Sequence, residues 1–249
     1  MAEELLYPAR CPLCDGLIPW RGERICAECR GNLPLIREPY CLSCGKPLEK
    51  EEEYCDDCTR YSHLFVQNRA VLCYTEPVRL SLYRLKYAGR REYGEVYAAL
   101  AWQYLGEWIR RKNIDVIVPV PLHKSRLKKR GYNQALLFAK GLSECGQIPC
   151  LPHLAVRVRA TRPQKELDRS LRQKNLKKAF KIRENDVKSK VILLVDDIYT
   201  TGSTLDALAG AFLQAGAGRV FCVTISVAAG RNGDVQKGDE TEGRDHHAG

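Results

Sequence analysis

The sequence predicts an α/β protein, a parallel sheet flanked by helices and preceded by a small cysteine-rich metal module. Three observations carry that reading. Val191-Ile-Leu-Leu-Val195 is an unbroken apolar run, the mark of a strand buried on both faces. Asp196 and Asp197 follow it, then a turn of hydroxyls around Gly202, then a helix from about Ser203. Eight of the twelve cysteines form four Cys-x2-Cys pairs inside the first 60 residues. The charge is also partitioned. Residues 61–230 carry 29 basic against 13 acidic side chains, a net of +16, whereas residues 1–60 sum to −4 and residues 231–249 to −2. The middle of the chain is built for anions, either a polyphosphate or a nucleic acid.

The N-terminal pairs are Cys11/Cys14, Cys26/Cys29, Cys41/Cys44 and Cys55/Cys58, separated by gaps of 11, 11 and 10 residues. Two thiolates spaced this way form a knuckle around one cation, and two knuckles complete a tetrahedral site, so two structural zinc ions are expected. A segment this short buries little apolar surface, and metal binding supplies its folding free energy. Pairing is either sequential or interleaved. The Asn32–Pro39 spacer between two similar halves favours sequential pairing. Iron–sulfur or dithiol redox chemistry is the rival use of such thiols. The segment over residues 8–60 resembles a double zinc ribbon. Cys73, Cys145, Cys150 and Cys222 are expected to be buried thiols.

The elements of the second domain, expected over residues 65–229, follow in order. Val71–Tyr74 reads as a short strand, and Val78–Tyr87 as a helix stopped by Gly89. An amphipathic helix over 93–111 offers Leu100, Leu105, Trp108 and Ile109 to a core. Asp115–Pro121 is a second buried strand, ended by its prolines. A basic loop then leads to a helix near Asn133. Its Arg126, Lys128, Lys129 and Arg130 can neutralise phosphates, the arginines in bidentate fashion. Strands at about 154–158 and 179–183 flank an Arg- and Lys-rich stretch beginning at Arg157, suited either to a mobile flap over a charged substrate or to a solvated hairpin. The helix from Ser203 runs to Gly216 with Leu205, Leu208 and Phe212 on one face, and Arg219–Val227 is a last buried strand. The polar tail over 230–249 is expected to be disordered.

Backbone amides at the start of the Ser203 helix, with the hydroxyls of Thr200, Thr201, Ser203 and Thr204 around Gly202, form a cradle for a phosphate. Asp196 and Asp197 suit the hydroxyls of a sugar or the shell of a divalent cation. A sugar phosphate would lie across the carboxyl end of the sheet. The ATP-binding Gly-x4-Gly-Lys-Ser/Thr loop is absent from the chain.

This stretch resembles the 5-phosphoribosyl pyrophosphate (PRPP) signature of type I phosphoribosyltransferases. The resemblance implies that the two acids hold the ribose hydroxyls and that Thr200 to Thr204 wrap the 5′-phosphate. In order along the chain come Pro-Val-Pro-Leu-His, Arg-Gly-Tyr-Asn-Gln, Arg-x3-Thr-x2-Gln with Arg-x2-Asn-Leu beyond it, and Val-Asp-Asp-Ile-Tyr-Thr-Thr-Gly-Ser-Thr. Together with the cysteine module, these strings resemble the ComF family of competence-associated, phosphoribosyltransferase-like proteins over residues 8–228. The family likeness implies a type I phosphoribosyltransferase-like domain, a pyrophosphate site with Mg2+ after Pro121, and a flexible loop over Arg157 to Asn175. Leu85-Lys86-Tyr87 is similar to a Leu-Lys-Tyr stretch before the transferase core in one subgroup. Thr200 departs from the 6-oxopurine salvage branch, which places an aspartate there, so hypoxanthine and guanine are disfavoured acceptors.

Two readings of function follow. The chain transfers phosphoribose from PRPP and Mg2+ to an acceptor nitrogen. Alternatively, it senses PRPP without catalysis and binds single-stranded DNA during uptake, with Tyr83, Tyr87, Tyr93 and Tyr132 as stacking residues among basic ones. Other competence proteins are expected partners, and a zinc-ribbon adaptor for RNA or protein is a third reading. No apolar run has the length of a membrane span, and the acidic start is unlike a signal peptide, so a cytoplasmic protein is expected.

Overall fold

A computed structural model describes residues 9–18, 22–158, 179–183 and 187–228. The expected flexible loop beyond Val158 and the tail from 230 lie outside the described residues. Strands β1 (Gln67–Cys73), β2 (Val116–Pro119), β5 (Val191–Tyr199) and β6 (Arg219–Val227) form one sheet in the order β1-β6-β5-β2, every neighbouring pair parallel. Parallel strands need covered faces, and β2, β5 and β6 are accordingly almost continuously apolar. A separate antiparallel pair, β3 (Ala155–Arg157) and β4 (Phe180–Ile182), lies at the edge of the second core described below.

Helices α3 (Glu76–Tyr87), α4 (Tyr93–Arg111) and α6 (Gln134–Gly146) cover one face. Leu82, Leu85, Tyr97, Leu105, Ile109, Phe138 and Leu142 pack there against Leu193, Val195 and Phe221. Helix α7 (Ser203–Gln214) covers the other, where Leu205, Leu208 and Phe212 meet Ile192, Leu194 and Cys222. This alternation along β5 is the two-residue period of a strand expressed as two cores.

The N-terminal module is fused to both cores. Its short helices are α1 (Ala27–Gly31) and α2 (Asp56–Arg60). Cys11, Leu13, Ile18 and Ile25 join the first core, whereas Cys41 and Cys44 join the second. Between them, the spacer lies antiparallel along β1. Ile36 N–H donates to the Val71 carbonyl at 3.0 Å, and Cys73 N–H donates to the Pro34 carbonyl at 2.8 Å. The spacer thereby occupies an edge that would otherwise expose backbone groups.

Three expectations change in detail. The strand at 191 does not end at Val195 but runs on through both acids to Tyr199. The basic segment after β2 is not a loop but a seven-residue helix, α5 (Lys124–Arg130). His123 caps α5 by accepting from Ser125 N–H at 3.3 Å, and Gly131 stops it with φ 82°. Cys145 is exposed and Cys73 and Cys150 are half-buried, which leaves Cys222 as the one fully buried thiol of the four outside the pairs.

Candidate functional site

Asp196 and Asp197 stand side by side near the carboxyl end of β5, where Asp197 N–H donates to Asp196 Oδ1 at 2.9 Å. Asp197 enters the helical face. Lys86, in the last turn of α3, forms an ion pair with its Oδ2, and Gln134 Nε2 donates to its Oδ1 at 3.1 Å. Burial alone would raise the Asp197 pKa, but the Lys86 ammonium and these hydrogen bonds hold it below the ordinary carboxylate range. The Lys86 charge lowers the Asp196 pKa too, but by less than the opposing effects raise it. Burial, then the neighbouring Asp197 charge, push it well above the ordinary range.

Gln134 acts as a relay. Its Oε1 accepts from Arg130 while its amide serves Asp197. Arg130 also donates to the Tyr87 hydroxyl at 3.2 Å and lies 4.9 Å over the Tyr87 ring. Tyr132 donates to the Leu85 carbonyl, which ties α3 to the α5–α6 turn.

Beyond Tyr199 the chain turns at Gly202, whose φ of 74° lies in the left-handed region. A Cβ there would also sit 2.7 Å from the Tyr199 hydroxyl and 2.9 Å from His63 Cε1, so only glycine fits. The turn delivers the N-terminus of α7, a 12-residue helix with unpaired leading amides. Thr201 and Ser203 share a hydroxyl hydrogen bond of 2.8 Å, Thr200 is exposed and Thr204 half-buried.

Strands β2 and β5 are neighbours, so α5 leaves the same edge of the sheet as this turn. Arg126 and Lys128 are exposed on α5. Arg157, at the end of β3, is buried. Burial and repulsion from Arg126 lower its pKa, while the Asp196 charge opposes them. Arg126, Arg157 and Asp196 therefore share one electrostatic neighbourhood.

Cys11, Cys14, Cys26 and Cys29 converge with all sulfurs within 4.8 Å, and Cys41, Cys44, Cys55 and Cys58 do the same. The grouping is sequential rather than interleaved. Cys14 and Cys26 sulfurs are 3.8 Å apart, and those of Cys44 and Cys55 3.6 Å. Four sulfurs each about 2.3 Å from one tetrahedral ion stand about 3.8 Å from one another, so both quartets fit Zn2+. In the first knuckle of each quartet a residue of positive φ follows the second cysteine, Asp15 (61°) and Gly45 (76°).

Several site residues escape a reading of motifs. Lys86 was visible as part of Leu-Lys-Tyr, yet nothing in the sequence joins it to Asp197, 111 positions away. Gln134 closes the Arg-Gly-Tyr-Asn-Gln string, yet nothing in the sequence joins it to Asp197. Tyr93 proves to be a core residue rather than a stacking one. It is fully buried, and its hydroxyl bonds Asp15 of the first knuckle. Arg84 and Arg90 also face Asp15, at 3.7 and 3.6 Å, so the first knuckle braces both sides of Lys86.

Comparison with known proteins matches a double zinc ribbon domain to residues 2–59. The chain is 30% identical to Competence protein F of Haemophilus influenzae over 204 residues, covering 80% of this chain and 88% of that protein. It is 31% identical to Competence protein ComFC of Bacillus subtilis, covering 83% and 89%. It is 32% identical to the DNA utilization protein YhgH of Salmonella typhimurium, covering 88% and 98%. Among solved structures, a purine phosphoribosyltransferase from Pyrococcus horikoshii overlaps 53% of this chain and 73% of its own, with 21% identity and a TM-score of 0.34. Overlap of that extent carries no weight for function.

Replacing Lys86 with Met strands a buried carboxylate, and breaking such pairs costs roughly 3 kcal/mol at neutral pH. In the parent, Asp197 contributes stability above the ordinary carboxylate range and loses it as pH falls through its lowered pKa. In the variant, burial dominates, Asp197 takes up a proton more readily, and acidification relieves the penalty. Urea unfolding at pH 7 and pH 5 should therefore show a narrowing gap between parent and variant; a constant gap would refute the pairing. Elemental analysis should find two zinc ions per chain. Because Cys11 and Cys41 lie in the two cores, stripping them with a chelator should lower the melting temperature of the whole chain in a single transition.

Proposed function

We propose that this chain, which belongs to the ComF family of Competence protein F, ComFC and YhgH, binds PRPP across the carboxyl edge of its parallel sheet. It is on this reading a competence or DNA-utilization protein with a phosphoribosyltransferase-like domain. One observation carries the reading. The acid pair of β5 runs directly into a glycine turn and helix N-terminus, while the adjoining strand β2 delivers the basic helix α5 to the same edge.

Each group has a role in that reading. Amides at Gly202 to Thr204 and the Thr200, Thr201, Ser203 and Thr204 hydroxyls take the 5′-phosphate. The ribose hydroxyls donate to Asp196 and to Asp197. Arg126, Lys128, Arg130 and Arg157 receive the pyrophosphate. Mg2+ accompanying that group would neutralise part of its charge. Transfer would break the bond from C1 to pyrophosphate as an acceptor nitrogen bonds C1, and the arginines stabilise the departing charge. Proton removal from an acceptor base has no evident agent in the turn, because Asp206 faces inward to His63 and Leu64.

A second reading rests on a separate observation. Tyr83 and Tyr87 are 57% and 60% exposed, with ring centroids 5.1 Å apart, and Arg130 lies over Tyr87. Exposed aromatic rings beside guanidinium groups offer a stacking platform for the bases of single-stranded DNA.

With PRPP and Mg2+ at about 100 times the dissociation constant, linkage adds about 2.7 kcal/mol. The melting temperature should then rise by roughly 5–10 °C. The pair Asp196→Asn with Asp197→Asn should abolish the rise, and an unmoved parent would sink the proposal. Asp196→Asn alone should stabilise the ligand-free protein at neutral pH, since it removes a carboxylate whose raised pKa makes its charge costly there. For the second reading, Tyr83→Ala with Tyr87→Ala should weaken single-stranded DNA binding by about tenfold or more. The salt slope should stay unchanged, because no cation is lost.

A further inference from the structure

His63 lies in the stretch between the second cysteine quartet and β1, and its imidazole is buried beneath the turn at Gly202. One ring nitrogen, Nδ1, is 2.7 Å from Asp206 Oδ2, and the other, Nε2, is 3.0 Å from the Tyr199 hydroxyl. A neutral imidazole satisfies both contacts if Nδ1–H donates to the carboxylate and Nε2 accepts the tyrosine proton. The second Asp206 oxygen accepts from Leu64 N–H at 2.9 Å. Phe65 stacks on the His63 ring at 4.5 Å, and Tyr199 meets it edge-on at 6.1 Å.

This assembly touches the turn itself. The space a Cβ would need at Gly202 is filled by the Tyr199 hydroxyl and His63 Cε1. Gly202, Asp206 and Gly210 recur every four residues and so share one face of α7 and its cap. Leu64 fills the space beside Gly210 with Cδ1 2.9 Å from where a Cβ would stand, so residues 63–64 lie along that face. Asp206, in the first turn of α7, is an awkward neighbour for a phosphate at the same helix end. His63 and Leu64 engage both its oxygens and turn its charge inward.

We propose that His63 is a positioning residue for the phosphate turn. Through Tyr199 and Asp206 it fixes the backbone of Gly202 and the leading amides of α7, and it binds no ligand itself. The inference rests on the reading of Thr200 to Thr204 as the 5′-phosphate site and adds what holds that site in shape. It also gives the second ribbon a task, since His63 is five residues beyond Cys58.

The test is calorimetric titration of ribose 5-phosphate and of inorganic pyrophosphate into the parent, His63→Ala, Tyr199→Phe and the double variant. Ribose 5-phosphate probes the turn, and pyrophosphate probes the basic helix. His63→Ala should weaken ribose 5-phosphate by about tenfold, and the double variant should lose little more, because the two residues act as one unit. Pyrophosphate affinity should not move. Tyr199→Phe removes one hydroxyl from a ring that stays packed, so it tests the idea even if His63→Ala does not fold. Unchanged ribose 5-phosphate affinity in the variants, or equal loss for both ligands, would overturn the role of His63. A parent that binds neither ligand would instead overturn the phosphate-site reading beneath it.

Discussion

Two adjacent carboxylates in a buried strand set the terms for the rest of this structure. They stand side by side at the carboxyl end of β5, so the charge of one bears on the other. Asp197 is compensated by Lys86 and Gln134, which fixes how the end of α3 and the start of α6 meet the sheet. Burial, then the neighbouring Asp197 charge, push Asp196 above the ordinary carboxylate range. A buried pair held by one cation is economical in the absence of ligand, because two uncompensated charges side by side would cost more than the fold could bear.

The ribbon module supports that edge from both sides. Its spacer seals β1, and its two quartets enter different cores. The first knuckle reaches the helical face through Asp15, which holds Tyr93, Arg84 and Arg90 around the segment bearing Lys86. The second leads through residues 59–62 to His63 beneath the Gly202 turn. Zinc in such sites supplies folding free energy to a segment too small for its own core. Here the packing passes that order to the surroundings of Asp197 on one face and of Gly202 on the other.

The helix at α5 shows where local signals mislead. A run of Lys and Arg after a strand reads as a solvated loop, but His123 provides an N-cap, Gly131 a left-handed stop, and nothing between them opposes helix. The outcome places Arg126 and Arg130 four apart on one face, with Arg130 committed to Gln134 and Tyr87. Tyr93 misleads in the opposite direction. Its basic neighbours suggest a surface residue, whereas tertiary packing buries it to serve the first knuckle.

What the sequence determined by itself was whatever depends on short separations along the chain. The apolar runs gave β2, β5 and β6, the 3.6-residue period gave α4 and α7, and the cysteine spacing gave two four-sulfur sites. The Asp-Asp and Thr-Thr-Gly-x-Thr strings marked the candidate site. Only the tertiary structure decided the partners across long separations. Lys86 with Asp197, His63 with Asp206, and the two quartets with the two cores are such cases. The physical reason is that spacing encodes which face a side chain occupies, whereas burial and charge compensation depend on what the fold brings against that face.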